Sequence, residues 1–530
     1  MKRREFLKKG VKLGVAVNAL PLALGGFPVK ALGRSPLRSA LKAAATNDNI
    51  LVIIQLSGGN DGLNMLVPHS NSEYYRARPT LGLKKTEDRL IELAGHETLA
   101  WNSVMTGANT LYGEGKLAIL QNVGYPNMDL SHFRGTDIWN NATDRDKFTN
   151  TGWLGRLLTD INPDYPPPVI PAGSQPLAVQ FGNSLSNAFF GKNGGMGIAI
   201  NRLPDEGQQS VHNYDPIPVP TTIPYQELEY VRLIERESEV YSQSLIDRSV
   251  KTNKVTYPTS SIATQLSYVS QIIASGFSTK IYLVTQAGYD THSNQLEDQS
   301  GLLGDLSAAM LAFQQDLEAN GLADKVVTMT YSEFGRRPSE NGTGTDHGTA
   351  APLFVFGTQV NGKVFGNDPD LVNLVAKNLP YDPRHDFRNV YSSMMSEWLG
   401  VSDEDIQSVL TASDGETYST NNEWLKLGII KSTTGDVDYS SAAPGLMLMQ
   451  NYPNPVVNST TFEFALSEAS YVQLGIFDVK GNEVARVADG RYGEGVNRAT
   501  FSAGNLANGT YLYRLRTDKT DVTRQLVIMK

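Results

Sequence analysis

The chain has 530 residues, too many for one hydrophobic core, so two or three domains are expected. Hydrophobic residues make up 40% and charged residues 19%, the balance of a globular protein rather than a disordered one. It has no cysteine, which excludes thiol catalysis, disulfide frameworks and cysteine-built zinc sites, and no internal apolar run reaches transmembrane length.

The N-terminus reads as a targeting segment. Arg3-Arg4-Glu5-Phe6-Leu7-Lys8 is a twin-arginine motif, followed by a weakly apolar run over 11–26 and then small residues at Val29-Lys30-Ala31 or Ala43-Ala44-Ala45. Residues 1–45 hold ten basic and one acidic side chain. Their removal leaves 36 basic and 54 acidic, a net charge of −18 against −9 for the whole chain. So acidic a mature chain is a poor partner for nucleic acid or an anionic membrane.

Next come strands alternating with helical patterns. Residues 50–56 form a continuous apolar run ahead of Ser57-Gly58-Gly59-Asn60-Asp61-Gly62, as a buried parallel strand does before a glycine turn. Residues 117–123, 280–286, 325–331 and 352–356 read as four further strands. Helical spacing covers 225–251, 296–319 and 391–399. The alternation predicts an α/β domain over 46–403, with a mostly parallel sheet and helices on both faces. Two proline-rich segments, 161–176 and 201–224, interrupt the pattern as long loops. Residues 404–445 read as a terminal helix fading into a linker. From 446 to 530, short strands separated by turn residues predict a small β-sandwich.

The reactive groups follow the strands. Asp61 lies after the first, Ser131-His132 after the second, and Asp290 and His292 after the third. Glu333 and Arg336 lie after the fourth, and Asp346-His347 precede the fifth. In an open parallel sheet, groups at the carboxyl ends of separate strands can converge on one ligand. Carboxylates and imidazoles without thiols suit a divalent ion such as Zn, Mn, Mg or Ca. Asp61, Asp290, His292, Glu333, Asp346 and His347 are therefore the candidate metal ligands. Ser131, His132 and Arg336 are the candidate catalytic residues. Ser131 at a helix start suits a nucleophile beside bound anion, and it also reads as an ordinary N-cap. Arg336 or Arg337 suits a phosphate or sulfate oxygen. His69, His96 and His212 read as surface residues, and His385 has no assignment.

Two resemblances add to this. Gln450-Asn451-Tyr452-Pro453-Asn454-Pro455, Phe477-Asp478-Val479-Lys480-Gly481 and Gly509-Thr510-Tyr511 resemble the C-terminal sorting domain of the type IX secretion system. That likeness implies delivery across the outer membrane by the export and sorting machinery. Gly58-Gly59-Asn60-Asp61-Gly62-Leu63-Asn64, Ser131-His132-Phe133, Asp290-Thr291-His292, Ser332-Glu333-Phe334-Gly335-Arg336 and Asp346-His347-Gly348 resemble domain-of-unknown-function family 1501. Its clan, that of alkaline phosphatases and sulfatases, implies an alkaline-phosphatase-like fold and metal-assisted cleavage of a small-molecule or glycan ester of phosphate or sulfate. In that likeness Asp61 matches the first-strand metal aspartate and Ser131 the nucleophile. Asp290 with His292 matches an Asp/His ligand pair, at a closer spacing than the clan's, and His347 matches the late histidine. One departure stands out: where the clan commonly has Asp-His or Asp-Asn, this chain has Glu333-Phe334, and phenylalanine cannot ligate.

Overall fold

The computed structural model describes residues 23–24, 27–28, 47–165, 175–203, 240–371, 378–431 and 446–528, apart from short gaps within them. The twin-arginine segment, His212, most of the two proline-rich segments and most of the helix expected over 225–251 lie outside the described residues. The chain divides into two units, Met1–Lys426 and Leu427–Lys530.

The first unit is built on strands β1 (Ile50–Ser57), β2 (Leu117–Val123), β3 (Ala178–Phe181), β4 (Ile198–Ile200), β5 (Ile281–Ala287) and β6 (Val326–Tyr331). A hairpin follows, β7 (Arg336–Glu340) with β8 (Thr345–His347), and then β9 (Ala351–Phe356) and β10 (Val364–Phe365). The main sheet runs β4-β3-β5-β1-β6-β9-β2-β10. Every neighbouring pair is parallel except those made by β9, which is antiparallel to both β6 and β2. The carboxyl ends of β1, β2, β5 and β6 and the amino end of β9 therefore share one rim.

The apolar runs explain the sheet's depth. Ile50, Val52, Ile54 and Leu56 alternate along β1 into one core, and Leu51 and Ile53 between them are equally buried on the other face. Helices α1 (Thr106–Gly113), α2 (His132–Asn141), α3 (Trp153–Ile161), α4 (Ser261–Ala274), α5 (Gln295–Ala319), α6 (Phe387–Ser393) and α7 (Asp403–Leu410) cover it. Residues of α1, α4 and α5 share the core of Ile50, Val52 and Ile54. Trp139 of α2 lies flat on Tyr331 of β6, with centroids 5.4 Å apart. Trp153 of α3 stacks on Tyr391 of α6 at 4.2 Å.

The boundary after the α/β domain falls later than the sequence implies. Residues 404–426 are polar, yet they belong to the first unit. Asp144 accepts from Ser419 Oγ and from the Thr420 backbone and hydroxyl, and Arg388 lies over the Trp424 ring. The Ser/Thr/Asp composition that reads as linker is here a set of partners for buried charges.

The second unit contains β11 (Leu446–Leu448), β12 (Ser459–Leu466), β13 (Ser470–Phe477), β14 (Glu483–Tyr492), β15 (Gly495–Ser502), β16 (Gly509–Arg516) and β17 (Asp521–Ile528). They form antiparallel sheets β11-β12-β15 and β14-β13-β16-β17. Phe462 and Phe464 of one and Val472, Leu474, Tyr513 and Leu515 of the other share a single core.

Candidate metal centre

The turns at the rim are shaped by close backbone approach. Gly58 has φ +123°, and a Cβ there would stand 2.4 Å from the Asp290 nitrogen, so only glycine lets the end of β1 meet the loop after β5. Gly59 has φ +74°, and its missing side chain leaves room for the Phe334 ring. Asp129 accepts from the Ser131 backbone N–H and sets the start of α2, while the Trp139 indole donates to the Glu333 carbonyl. These two bonds fix α2 so that its first residue, His132, reaches over the end of β6.

Four side chains converge. The Nε2 atoms of His132, His292 and His347 lie 3.3, 3.1 and 3.2 Å from one atom, Asp290 Oδ1. His292 Nε2 and His347 Nε2 are 3.0 Å apart. His132, Asp290 and His347 each offer one ligand atom within 4.8 Å of the others, a set that can hold a metal ion.

Two of the rings are oriented from behind. His132 Nδ1 donates to Glu333 Oε1 at 2.8 Å, and His347 Nδ1 donates to the Leu130 carbonyl at 2.8 Å. His292 Nδ1 faces Asp346 Oδ1 at 3.7 Å. A carboxylate or carbonyl can only accept, so in the neutral rings the proton sits on Nδ1 of His132 and His347, and the Nε2 lone pair points at Asp290. His132 Nε2 is sealed from solvent and has no hydrogen-bond partner. A buried bare nitrogen aimed at a carboxylate oxygen fits a cation between them, and the oriented rings match the outer shell of a metal site.

Phe334 is the floor of the site. Its ring lies 4.9 Å from that of His132 and 4.7 Å from that of His347, tilted by less than 40° to each. No sequence signal marks it beyond the glycines that make room for it, and as a non-ligand it reads as a defect in the motif.

Most of the other candidate residues have partners of their own. Asp61 is fully buried away from ligand duty: Arg78 grips both its oxygens at 2.5 and 2.9 Å, Gln295 donates to Oδ2, and Leu63 N–H caps on Oδ1. Glu333 is spent on His132 and the Gly58 N–H, so it stands behind a ligand rather than acting as one. Arg336 is fully buried and donates to the carbonyls of Gly58, Gly59, Tyr289 and Thr345 as well as to Asp290 Oδ1 at 2.6 Å, which leaves nothing to bind substrate. Asp346 is half exposed and backs His292. Ser131 is exposed, and its side chain makes no capping bond. Arg337 keeps a partly exposed guanidinium beside the His347 carbonyl. His385 is buried with its Nδ1 on the Gln121 carbonyl.

Asp290 carries the electrostatics. Burial works against its charge, but the hydrogen bond and the charge of the Arg336 guanidinium hold its carboxyl below the ordinary carboxylate range. It is a permanent anion at the centre of three imidazoles.

Residues 275–394 match the family described as "Protein of unknown function (DUF1501)", and residues 450–529 match the "Secretion system C-terminal sorting domain". The chain carries both domains. The first match spans Asp290, His292, Glu333, Arg336 and His347. The sorting domain addresses the chain for export to the cell surface or the extracellular space. Among the described residues, no helix is long and apolar enough to cross a membrane. No curated protein matches.

Among solved structures, dimeric latent PorU from Porphyromonas gingivalis is similar at 21% identity and TM-score 0.14. The match covers 16% of this chain and 10% of that one, so this chain spans about a tenth of its length. A protein in the alkaline phosphatase superfamily from Vibrio parahaemolyticus is similar at 9% identity and TM-score 0.32, covering 80% of this chain and 76% of that one. The PsFucS1 sulfatase from Pseudoalteromonas sp. is similar at 10% identity and TM-score 0.31, covering 89% and 88%.

Proposed function

We propose that this chain is an exported metal-dependent hydrolase of phosphate or sulfate esters. The observation that carries the metal is the bare, sealed Nε2 of His132 facing Asp290 beside His347. The ester class comes from the resemblance of its motifs to the phosphatase and sulfatase clan. His132, Asp290, His292 and His347 would hold the ion, which would supply Lewis-acid stabilisation of charge developing on the ester oxygens.

The chain's own groups supply the rest. Ser131 Oγ stands exposed at the start of α2, next in sequence to His132, and its lack of a capping bond leaves it free to attack. The first N–H groups of α2 lie where an anion is favoured. Arg337 offers the cation that Arg336 cannot. Phe334 and Glu333 keep His132 in one orientation throughout.

The test uses the full chain, stripped with a chelator and reloaded, with aryl phosphate and aryl sulfate as substrates. Turnover should need the metal and fall at least about 100-fold in Ser131→Ala. Turnover indifferent to the chelator would sink the reading, and turnover indifferent to Ser131→Ala would remove the nucleophile alone.

A second reading, a metal-stabilised binding protein without turnover, draws on Arg336. All three of its nitrogens are bonded within the protein and the side chain is fully buried, so the Arg336 guanidinium does not face a substrate anion. Tight metal binding with no turnover of either ester would favour it.

A further inference from the structure

We infer that the centre takes one ion of the nitrogen-preferring class, held by three imidazoles and one carboxylate, and that it cannot become a two-metal site. The inference rests on the metal-binding part of the proposed function and deepens it.

The geometry of the donor set comes first. Two of the three rings have their tautomer fixed by acceptors that cannot donate, the Glu333 carboxylate and the Leu130 carbonyl. Their lone pairs meet at Asp290 Oδ1, and His292 Nε2 closes on the same oxygen. Four of the separations, three to Asp290 Oδ1 and one between His292 Nε2 and His347 Nε2, are 3.0–3.3 Å, the length of a tetrahedron's edge, and His132, Asp290 and His347 lie within 4.8 Å of one another. Bonds of about 2.0–2.1 Å to a four-coordinate ion give edges of roughly 3.3 Å. Three imidazoles to one carboxylate oxygen suit Zn, Co, Ni or Cu. Mg and Ca call for six or more oxygens.

The limit to one ion follows from what surrounds the four donors. A second ion would need its own carboxylates about 3.5–4 Å from the first ion. The three other candidate carboxylates are already engaged, Asp346 with the Asn341 amide and the back of His292. Asp61 has both oxygens on Arg78 and further bonds from Gln295 and Leu63, and Glu333 serves His132 and Gly58. Arg336 also lays a fixed positive charge 2.6 Å from Asp290 Oδ1, which disfavours a second cation on this carboxylate. This guanidinium occupies the electrostatic place of a second metal.

The test is elemental analysis of the full chain, chelator-stripped and then dialysed against Co²⁺ or Zn²⁺ in an excess of Mg²⁺ and Ca²⁺. One Co²⁺ or Zn²⁺ per chain is expected, and Co²⁺ should give the strong visible absorption of a four-coordinate site. His347→Ala and the half-exposed His292→Ala should each lose that absorption, with circular dichroism confirming that the variants fold. Glu333→Gln should keep one ion and bind it roughly 10–100-fold more weakly, because the His132 ring loses its charged anchor. Two ions per chain, a preference for Mg²⁺ or Ca²⁺, no bound ion in the folded chain, or unchanged Co²⁺ affinity in both histidine variants would each overturn the inference. One tightly held Co²⁺ without ester cleavage leaves it standing and fails the hydrolase reading, whereas cleavage with two ions fails the inference alone.

Discussion

Arg336 and Asp144 illustrate how single charges organise this chain. Arg336 binds four carbonyls from three separate loops and steadies Asp290, a fan of bonds that needs the planar guanidinium. Arg336→Lys keeps the charge and loses most of those bonds, so it should cost about 3 kcal/mol in denaturant unfolding. A loss under about 1 kcal/mol would mean the fan is not what holds the rim. Asp144 is the second case. Burial pushes its carboxyl up, but the charge and hydrogen bonds of Arg388, with those of Thr420 and Ser419, bring it below the ordinary carboxylate range. A carboxyl depressed in the folded state stabilises above its unfolded value, near pH 4, and that contribution fades as pH falls further. The melting temperature of the wild type should therefore drop below pH 4 more steeply than that of Asp144→Asn. Parallel acid limbs would remove Asp144 from the account.

At the scale of elements, the glycine turn and the aromatic floor depend on each other. Gly59→Ala would put a Cβ 2.3 Å from the Phe334 ring and hold a left-handed backbone with a side chain. It should destabilise by about 1–3 kcal/mol and weaken ion binding through the tilted histidines, both readable by calorimetry. The strands themselves were legible in the sequence. Five apolar runs bounded by glycine and polar residues fall on β1, β2, β5, β6 and β9, because burial on both faces leaves a continuous apolar signature. The direction of β9 was not legible, since an apolar run is the same read from either end. Nor was the division of carboxylates between structure and site. Asp61 and Asp290 follow strands in the same way, and only partners 17 and 234 residues from Asp61, Arg78 and Gln295, decide that it is a strut. Phe334 looked like a broken ligand position because a supporting ring leaves no motif of its own.

For the whole molecule, two units with separate cores imply separate stabilities. Calorimetry of the full chain should give two transitions, of which only the one belonging to the first unit rises with added Co²⁺ or Zn²⁺. A single transition, or one in which both rise together, would mean the units unfold as one. The three histidines add a constraint of another kind. His132 comes from the start of α2 and His347 from the end of β8, and His292 and His347 are 55 residues apart along the chain. An ion gripping all of them acts as a removable crosslink, closing long loops of the unfolded chain much as a disulfide does in other secreted proteins. A protein with no cysteine, sent outside the cell, would thus carry its staple in histidine, one that a scavenging chelator can open and a proteolytic surrounding would exploit.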